Sequence, residues 1–444
     1  MKCDDRHPSS KFDDKRIDWP SAFREQSHPA DVADHLENLE FEEQMALIKS
    51  RPLEDVAYSV AEMEPYDRVA LMRMLPTELA ADILAISSPD DAADIIDELP
   101  SADRHRILKG LKQEDAAEIR HLLMFDPDTA GGVMNTEILV LDQDLTAEQA
   151  ISLIRHHVEE SEILYYAYIV DNMRHLKGVL SLRDLLLSPA KKRLRDCLKE
   201  QNLVYVTSDV DKEEVARLID RYNFLAIPVV DHDQRILGIV TVDDVIDIIQ
   251  DEITEDIQRM VGAGADETVD SPWLYSIRMR IPWLFLNLLN SGVSAWVVHL
   301  FEGSIAQMAV LAVLMPIVAN QAGNTGQQSL AVMIRQLAVE RFDRKKVWLA
   351  VMREAKIGLA SGIIIGLAVF VGLGLCFGRL PLAAVVSVSL GVDMLLGAVA
   401  GASIPLILRA LGRDPAQASS IFLTTLTDSA GFFTFLGLAS LFLF

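Results

Sequence analysis

Five long stretches free of charge, or nearly so, fill the C-terminal part of the sequence and constrain the fold more than anything else in it. Ile281–Phe301 is 21 residues without a charge, Gly303–Ile334 is 32 and Ile357–Gly378 is 22. Leu380–Leu408 is interrupted only by Asp393, and Pro415–Phe444 only by Asp428. An apolar helix of ~20 residues crosses the ~30 Å hydrocarbon core of a bilayer. The pattern predicts five transmembrane helices, at about 281–302, 304–337, 353–378, 381–410 and 415–443. One such run can be a buried helix of a soluble core, but five in series make a soluble core untenable.

Lysine and arginine in the short connections set the orientation. Arg278 and Arg280 precede the first run. Arg335, Arg341, Arg344, Lys345, Lys346, Arg353 and Lys356 lie between the second and third, and Arg409 and Arg413 between the fourth and fifth. The opposite side has Arg379 alone. The N-terminal 270 residues are therefore expected in the cytoplasm and Phe444 outside. The net charge of -24 divides the same way. Residues 271–444 hold 12 Lys/Arg and 7 Asp/Glu, a net of +5, which leaves -29 on residues 1–270. So acidic a surface excludes nucleic acid, whose phosphates need a basic one. Cys3, Cys197 and Cys376 are too far apart for a disulfide framework or a zinc pattern. The first thirty residues are polar, without the pattern of a cleavable signal peptide, and residues 1–25 read as disordered.

The acidic half contains two repeats. The first recurs about every 12 residues, as in PADVADHLENL, PTELAADILAI and SPDDAADIIDEL. Proline or serine opens most segments, as at helix N-termini. In Ser88-Pro89-Asp90-Asp91 the serine is placed to cap a helix, with Asp91 completing a near capping box. A solenoid-like superhelix of short helices is predicted over 26–125. The second repeat pairs DLTAEQAISLI from Asp144 with DVDKEEVARLI from Asp209, and GVLSLRDLL from Gly178 with GIVTVDDVI from Gly238. Each copy reads helix, strand, turn, strand, helix; the second copy has Glu213–Tyr222, Ala226–Val230, Asp231–Gln234, Ile236–Val240 and Val242–Ile249.

The paired GVLSLRD and GIVTVDD units resemble tandem CBS domains, regulatory modules that bind adenine nucleotides. Over roughly residues 25–444 the chain is similar to the bacterial MgtE family of magnesium channels. The similarity rests on IVTVDDVIDIIQDEITEDI (Ile239–Ile257), AGNTGQQS (Ala322–Ser329) and TTLTDSAGFF (Thr424–Phe433), in that order. It implies a multidomain fold: an all-α superhelical N-terminal domain, α/β tandem CBS domains at 126–188 and 189–248, a connecting plug helix at 249–270, and a five-helix α transmembrane domain at 271–444. It also implies a homodimer in the lipid of the bacterial inner membrane, with Mg²⁺ as its ion and no enzymatic activity. No phosphate-binding loop of the Walker type accompanies these motifs.

Asp428 lies alone in a 30-residue uncharged stretch. A carboxylate at membrane depth costs at least ~2.5 kcal/mol, which makes a functional role its default reading. Mg²⁺ prefers hard oxygen ligands and dehydrates reluctantly. One Asp428 from each of two subunits would hold a hydrated ion through its waters, and the family's pore carboxylate occupies this motif position. The alternative is a buried, hydrogen-bonded or protonated acid. Ser420, Thr424 and Thr425 share its helix face, either lining a pore or bonding back to helix carbonyls. Gly323-Asn324-Thr325-Gly326 reads as helix packing, or as a kinked pore-lining segment in which backbone carbonyls, Asn320 and Asn324 face the ion. Pro316 adds to the expectation of a kink. Asp393 is either a secondary ion site or a hydrogen-bonded packing residue.

The plug segment puts Asp251, Glu252, Glu255 and Asp256 within two turns, where like charges repel. A solvated acidic face is the plain reading. Further carboxylates stand elsewhere: Asp91, Asp94 and Glu98 on one helix face, and Glu213, Asp243, Asp244 and Asp247 in the second CBS unit. If these surfaces meet, divalent cations must screen them, and Mg²⁺ would shift the population to the compact, closed state. Asn223 stands where the family pattern would put an acid. For a nucleotide such as ATP, Thr241 and Asp244 are the expected hydroxyl and carboxylate, with Phe224 to stack on adenine. In the first unit Ser181 and Asp184 correspond to them, with Leu164 in the place of Phe224 and Tyr165 adjacent. Other readings are an ion-coupled exchanger, or a carrier for Co²⁺ or Mn²⁺, although His299 and Cys376 form no soft-metal cluster. A third is a membrane-anchored nucleotide or metal sensor without a pore.

Overall fold

A computed structural model describes residues 27–157, 166–198, 203–265, 267–269, 271–339, 344–417 and 419–444. Residues 1–25, Leu164 and Tyr165 lie outside the described residues. Eight short helices come first: α1 (Pro29–Glu37), α2 (Phe41–Lys49), α3 (Leu53–Ala61), α4 (Pro65–Met74), α5 (Thr77–Ile86), α6 (Pro89–Glu98), α7 (Ser101–Leu108) and α8 (Gln113–Leu122). Helices this short do not persist alone in water, so tertiary burial holds them. Pro29, Pro65 and Pro89 fill first-turn positions, and Pro52, Pro76 and Pro100 are the N-caps of α3, α5 and α7. The helices pack on their second neighbours, α1 on α3, α3 on α5, α5 on α7, α4 on α6 and α6 on α8. Val60, Leu71, Met72, Ile83, Ile95 and Ile107 fill the resulting core. Ser88 is the N-cap of α6, but its hydroxyl makes no cap hydrogen bond. It donates instead to Asp91 Oδ2 at 2.6 Å, so the expected capping box is not formed.

Next come β1 (Val140–Asp142), α9 (Ala147–His157), β2 (Tyr166–Val170), β3 (Leu176–Ser181), α10 (Leu182–Leu187) and α11 (Leu194–Cys197). The second copy is β4 (Val206–Thr207), α12 (Lys212–Tyr222), β5 (Ala226–Val230), β6 (Ile236–Thr241) and α13 (Val242–Val261). The copies repeat in detail. In each, the first strand is parallel to the second and the second antiparallel to the third. Each register shifts at the end of its middle strand, at Ile169/Val170 and Val229/Val230. Tyr168, Val170 and Leu176 share one buried cluster with Ala226, Val230 and Ile236, so the two sheets face each other. From the sequence, the last helix of this copy is expected to end at Ile249, where a plug at 249–270 begins. The end of that copy and the first part of the plug form a single unbroken helix of 20 residues, α13, which stops at Val261, short of the expected 270. A division into two compact units, Met1–Val245 and Ile246–Phe444, falls inside it.

The second unit adds α14 (Trp273–Leu300), α15 (Glu302–Gln307), α16 (Val310–Val339), α17 (Arg344–Phe377), α18 (Leu380–Ala410) and α19 (Ser419–Phe442). Among the described residues α14, α17, α18 and α19 are long and apolar enough to span a membrane. α16 is 30 residues long, but Asn320, Gln321, Asn324, Gln327 and Gln328 interrupt its apolar character. The run expected as one helix over 304–337 is two, broken at Met308–Ala309. α18 is the hub, in contact with α16, α17 and α19. Its glycines allow the approach: a Cβ on Gly397 or Gly401 would strike the carbonyl of Ala322 or Gly326, and Gly391 meets Gly362 of α17 backbone to backbone. Membrane helices pack through small residues in this manner.

Candidate ion pathway and regulatory sites

Ser420, Thr424 and Asp428 recur every fourth residue on α19, and all three are half-buried. Asn320, Asn324 and Gln328 recur every fourth residue on α16, and all three are exposed. The two stripes are close in height. A Cβ on Gly323 would lie 3.9 Å from Thr427 Oγ1, so Asn324 and Asp428 each lie one residue beyond that contact. An exposed amide stripe on a membrane helix finds no hydrogen-bond partner in lipid, so such a face belongs against water or against protein.

The hydroxyls on α19 bond back to their own helix. Thr424 Oγ1 donates to the Ser420 carbonyl and Thr425 Oγ1 to the Ile421 carbonyl, each at 2.9 Å. Their oxygens keep lone pairs to accept a hydrogen from water. The glycine motif departs from expectation: α16 runs through Gly323 and Gly326 without a break. Gly326 is packed against Leu423 and the Gly397 carbonyl, and Thr325 Oγ1 donates to the Gln321 carbonyl at 2.9 Å. Gly326 therefore serves helix packing, and α16 exposes the amide side chains of an unbroken helix. A buried acid that sequence reasoning missed supports this helix: Glu354 of α17, 4% exposed, accepts the Ser329 hydroxyl at 2.9 Å and pairs with Arg353. Its place beside a run of basic residues hid it.

In the first unit the carboxylates of α6 meet the start of α13. Asp90 accepts from Asn135 Nδ2 at 3.1 Å. Burial, then the neighbouring charges of Asp91 and Asp244, push its carboxyl up to about 7. Burial also raises Asp244 to about 6 against the pull of the Thr241 hydroxyl, with Asp243 and Asp91 adding to the rise. Asp94 is exposed one turn further along α6, near Asp91, Glu98, Asp244 and the opposing guanidinium of Arg68. Glu98 is committed to Arg68, whose Nε donates to it at 3.0 Å. Glu213 is exposed in the first turn of α12, and Asp247 is exposed on α13. Asp90, which the sequence shows only as part of a helix start, belongs to this group.

A second acidic group lies in the other unit. Asp251 is exposed on α13 and Glu252 is half-buried. Glu255 pairs with Arg259, whose Nη1 also reaches Asp414 Oδ2 at 3.1 Å. Burial, then Asp414 and Glu252, raise Asp256 to about 6. Met260 packs beside Leu330, Ala400 and Leu423, and Gly262 against Trp283 and Ile421. The end of α13 is thereby seated on α14, α16, α18 and α19. Glu267 secures the following turn through Arg280, which holds its carboxyl well below the usual range. Among the described residues no three His, Cys, Asp or Glu side chains are gathered as ligands for one metal ion. Both groups are crowded acidic surfaces rather than finished cages.

A cavity of about 240 Å³ lies between the CBS copies, and its lining includes Tyr166, Lys177, Ser181, Asp184 and Phe224. Phe224, expected from the sequence beside Thr241 and Asp244, lines this cavity without them. Thr241 is fully buried and its hydroxyl donates to Asp244, which faces Asp90 and Asp91. The pseudo-twofold of the pair instead brings the aromatic ring of one copy to the hydroxyl and carboxylate of the other. Asn223 also finds its reason: it caps α12 in the left-handed region at φ 52, a conformation Asn tolerates.

Comparison with known proteins agrees with this architecture. Residues 27–128 match the family described as the MgtE intracellular N domain, 130–191 and 195–251 match CBS domains, and 315–438 match the MgtE divalent cation transporter family. The magnesium transporter MgtE of Enterococcus faecalis is 35% identical over 326 residues, 73% of this chain and 72% of that one. The magnesium transporter MgtE of Thermus thermophilus is 35% identical over 332 residues, 73% and 72% of the two chains. A crystal structure of the cytosolic domain of the Mg²⁺ channel MgtE in complex with ATP aligns at 33% identity and a TM-score of 0.49, covering 51% of this chain and 92% of that one. The chain belongs to the MgtE family of magnesium transporters.

Proposed function

We propose that this chain is a Mg²⁺-selective channel of the bacterial inner membrane, working as a homodimer and closed by cytoplasmic Mg²⁺. The observation that carries the reading is the Ser420–Thr424–Asp428 stripe beside the exposed amides Asn320, Asn324 and Gln328. Two copies facing each other across a twofold axis would enclose both stripes and remove the amides from lipid. Two Asp428 carboxylates would then meet one hydrated Mg²⁺, with the Thr424, Asn320 and Asn324 side chains ordering its waters. An ion that dehydrates reluctantly is selected by holding its hydrated size and charge. Residues 1–270 lie in the cytoplasm and Phe444 outside, by the distribution of Lys and Arg.

Gating follows from the two acidic groups. Asp90, Asp91 and Asp244 repel one another in one unit, and Glu252, Asp256 and Asp414 in the other. Bound Mg²⁺ offsets that repulsion and stabilises the compact state, so a rise in cytoplasmic Mg²⁺ closes the pore through α13. Asp91, Asp94, Glu98, Glu213, Asp247, Asp251 and Glu255 supply the surrounding negative field. The CBS cavity takes an adenine nucleotide: Phe224 and Tyr166 stack on the base, Asp184 faces the ribose and Lys177 the phosphates. Single-channel recording from the purified protein in planar bilayers tests the reading. Unitary Mg²⁺ currents without a proton or Na⁺ gradient support it. Flux that requires such a gradient would make the protein an exchanger.

A further inference from the structure

Asp393, near the middle of α18, is 1% exposed, and among the described residues neither of its carboxylate oxygens has a hydrogen bond of good geometry. Its Oδ2 lies 3.2 Å from where a Cβ on Gly431 of α19 would stand, and Ala319 of α16 lies 3.9 Å from the same point. The carboxyl group thus occupies a buried junction of three helices, where a Cβ at Gly431 would press on it. Thr434, near Gly431 on α19, is the hydroxyl donor beside it, and a single hydroxyl offsets only part of the cost of a buried charge. The titratable groups on the surrounding helices do not neutralise it. α19 carries only Asp428, another acid, three residues before Gly431. α16 carries only Arg335, near its opposite end. On α17 the ionic side chains precede the seam of Gly358, Gly362 and Gly366, and Glu354 among them is bonded to Ser329 and Arg353.

An anionic carboxylate buried among three helices, with one hydroxyl beside it and no cation, is too costly to persist. Among the described residues no ligand set for a metal ion surrounds it. The remaining neutralising species is a proton. We propose that Asp393 is a proton-binding site of the membrane domain, carried as the neutral acid beside Gly431. Release of the proton would place a charge against α19 and force water or a helix displacement into the junction. Because α19 also carries Asp428, the proton would help set the width of the pore; this coupling rests on the pore reading above, whereas the proton itself does not.

Infrared spectroscopy of the full-length protein in lipid bilayers at neutral pH tests the site. The wild type should show the C=O stretching band of a protonated, buried carboxyl group. Asp393→Asn should lose that band and Asp428→Asn should keep it. Asp393→Leu, also neutral, gives the same comparison if the amide variant does not fold. A folded Asp393→Asn protein should retain Mg²⁺ flux, because the site needs no negative charge. A band unchanged in both Asp393 variants overturns the proposal. So does complete loss of flux in folded variants of both kinds, which would make Asp393 a cation ligand. The band reads Asp393 whether or not the protein conducts, so failure of the channel reading would be seen separately.

Discussion

Replacing Asp244 by Asn tests the idea that the cytoplasmic acids are held together against their own repulsion. Burial and the charges of Asp243 and Asp91 raise Asp244 from 3.8 to about 6. At 1.36 kcal/mol per unit, ionising it in the folded state costs about 3 kcal/mol, taken as an upper bound. The sign follows from a raised carboxyl group: its contribution to stability is complete below the unfolded value and is lost as pH rises through about 6. At pH 8 without divalent cations the wild type bears the whole cost. Asn removes the charge and still accepts the Thr241 hydroxyl. At about 2–4 °C per kcal/mol for a unit of this size, Asp244→Asn should melt up to roughly 10 °C higher in chelator at pH 8. The gain should shrink as pH falls below 6. Mg²⁺ should stabilise the variant less than the wild type, since one repelling charge is gone. Thermal unfolding of the full-length protein in detergent, with and without Mg²⁺ at both pH values, is the assay. A variant that melts at or below the wild type in chelator at pH 8, or that gains as much from Mg²⁺, would refute the reasoning.

Three further outcomes follow from the geometry. Base–aromatic stacking is worth ~1–3 kcal/mol, so Phe224→Ala should weaken ATP binding by about tenfold in calorimetry, while Thr241→Ser, outside the cavity, leaves it unchanged. Gly401→Ala puts a Cβ against the Gly326 carbonyl and should destabilise the membrane domain by ~1–3 kcal/mol, whereas Gly372→Ala meets nothing within 4 Å and should be neutral in the same melting experiment. Arg259→Gln frees Asp414 from α13; an ion pair this exposed is worth ~0.2–1 kcal/mol, so the Mg²⁺ concentration that halves flux should move by only a fewfold.

Much of this fold is legible in the sequence because periodicity and charge are local signals. The twelve-residue repeat, the duplicated strand pairs and the charge-free runs each mark their own elements. What the sequence conceals depends on partners distant along the chain. Asp90 and Asp414 look like ordinary surface acids until Asp244 and Asp256 are placed beside them. Phe224 reads naturally with its own copy's Thr241, and only the pseudo-twofold packing of the CBS pair hands it to Ser181 and Asp184. The glycines at 323 and 326 suggest a helix break, because local propensity cannot reveal that Gly397 and Leu423 press against Gly326. Asp393 reads in the sequence as an ion site or a hydrogen-bonded packing residue, and only the fold shows it buried beside Gly431 and Thr434 of α19.

The central claim is that Mg²⁺ passes at Asp428. Its most direct test is Mg²⁺ uptake into liposomes holding purified full-length protein, wild type against Asp428→Ala, with folding of both confirmed by melting. The account predicts that uptake by the variant falls to the level of protein-free liposomes. Undiminished uptake by a folded variant would contradict it.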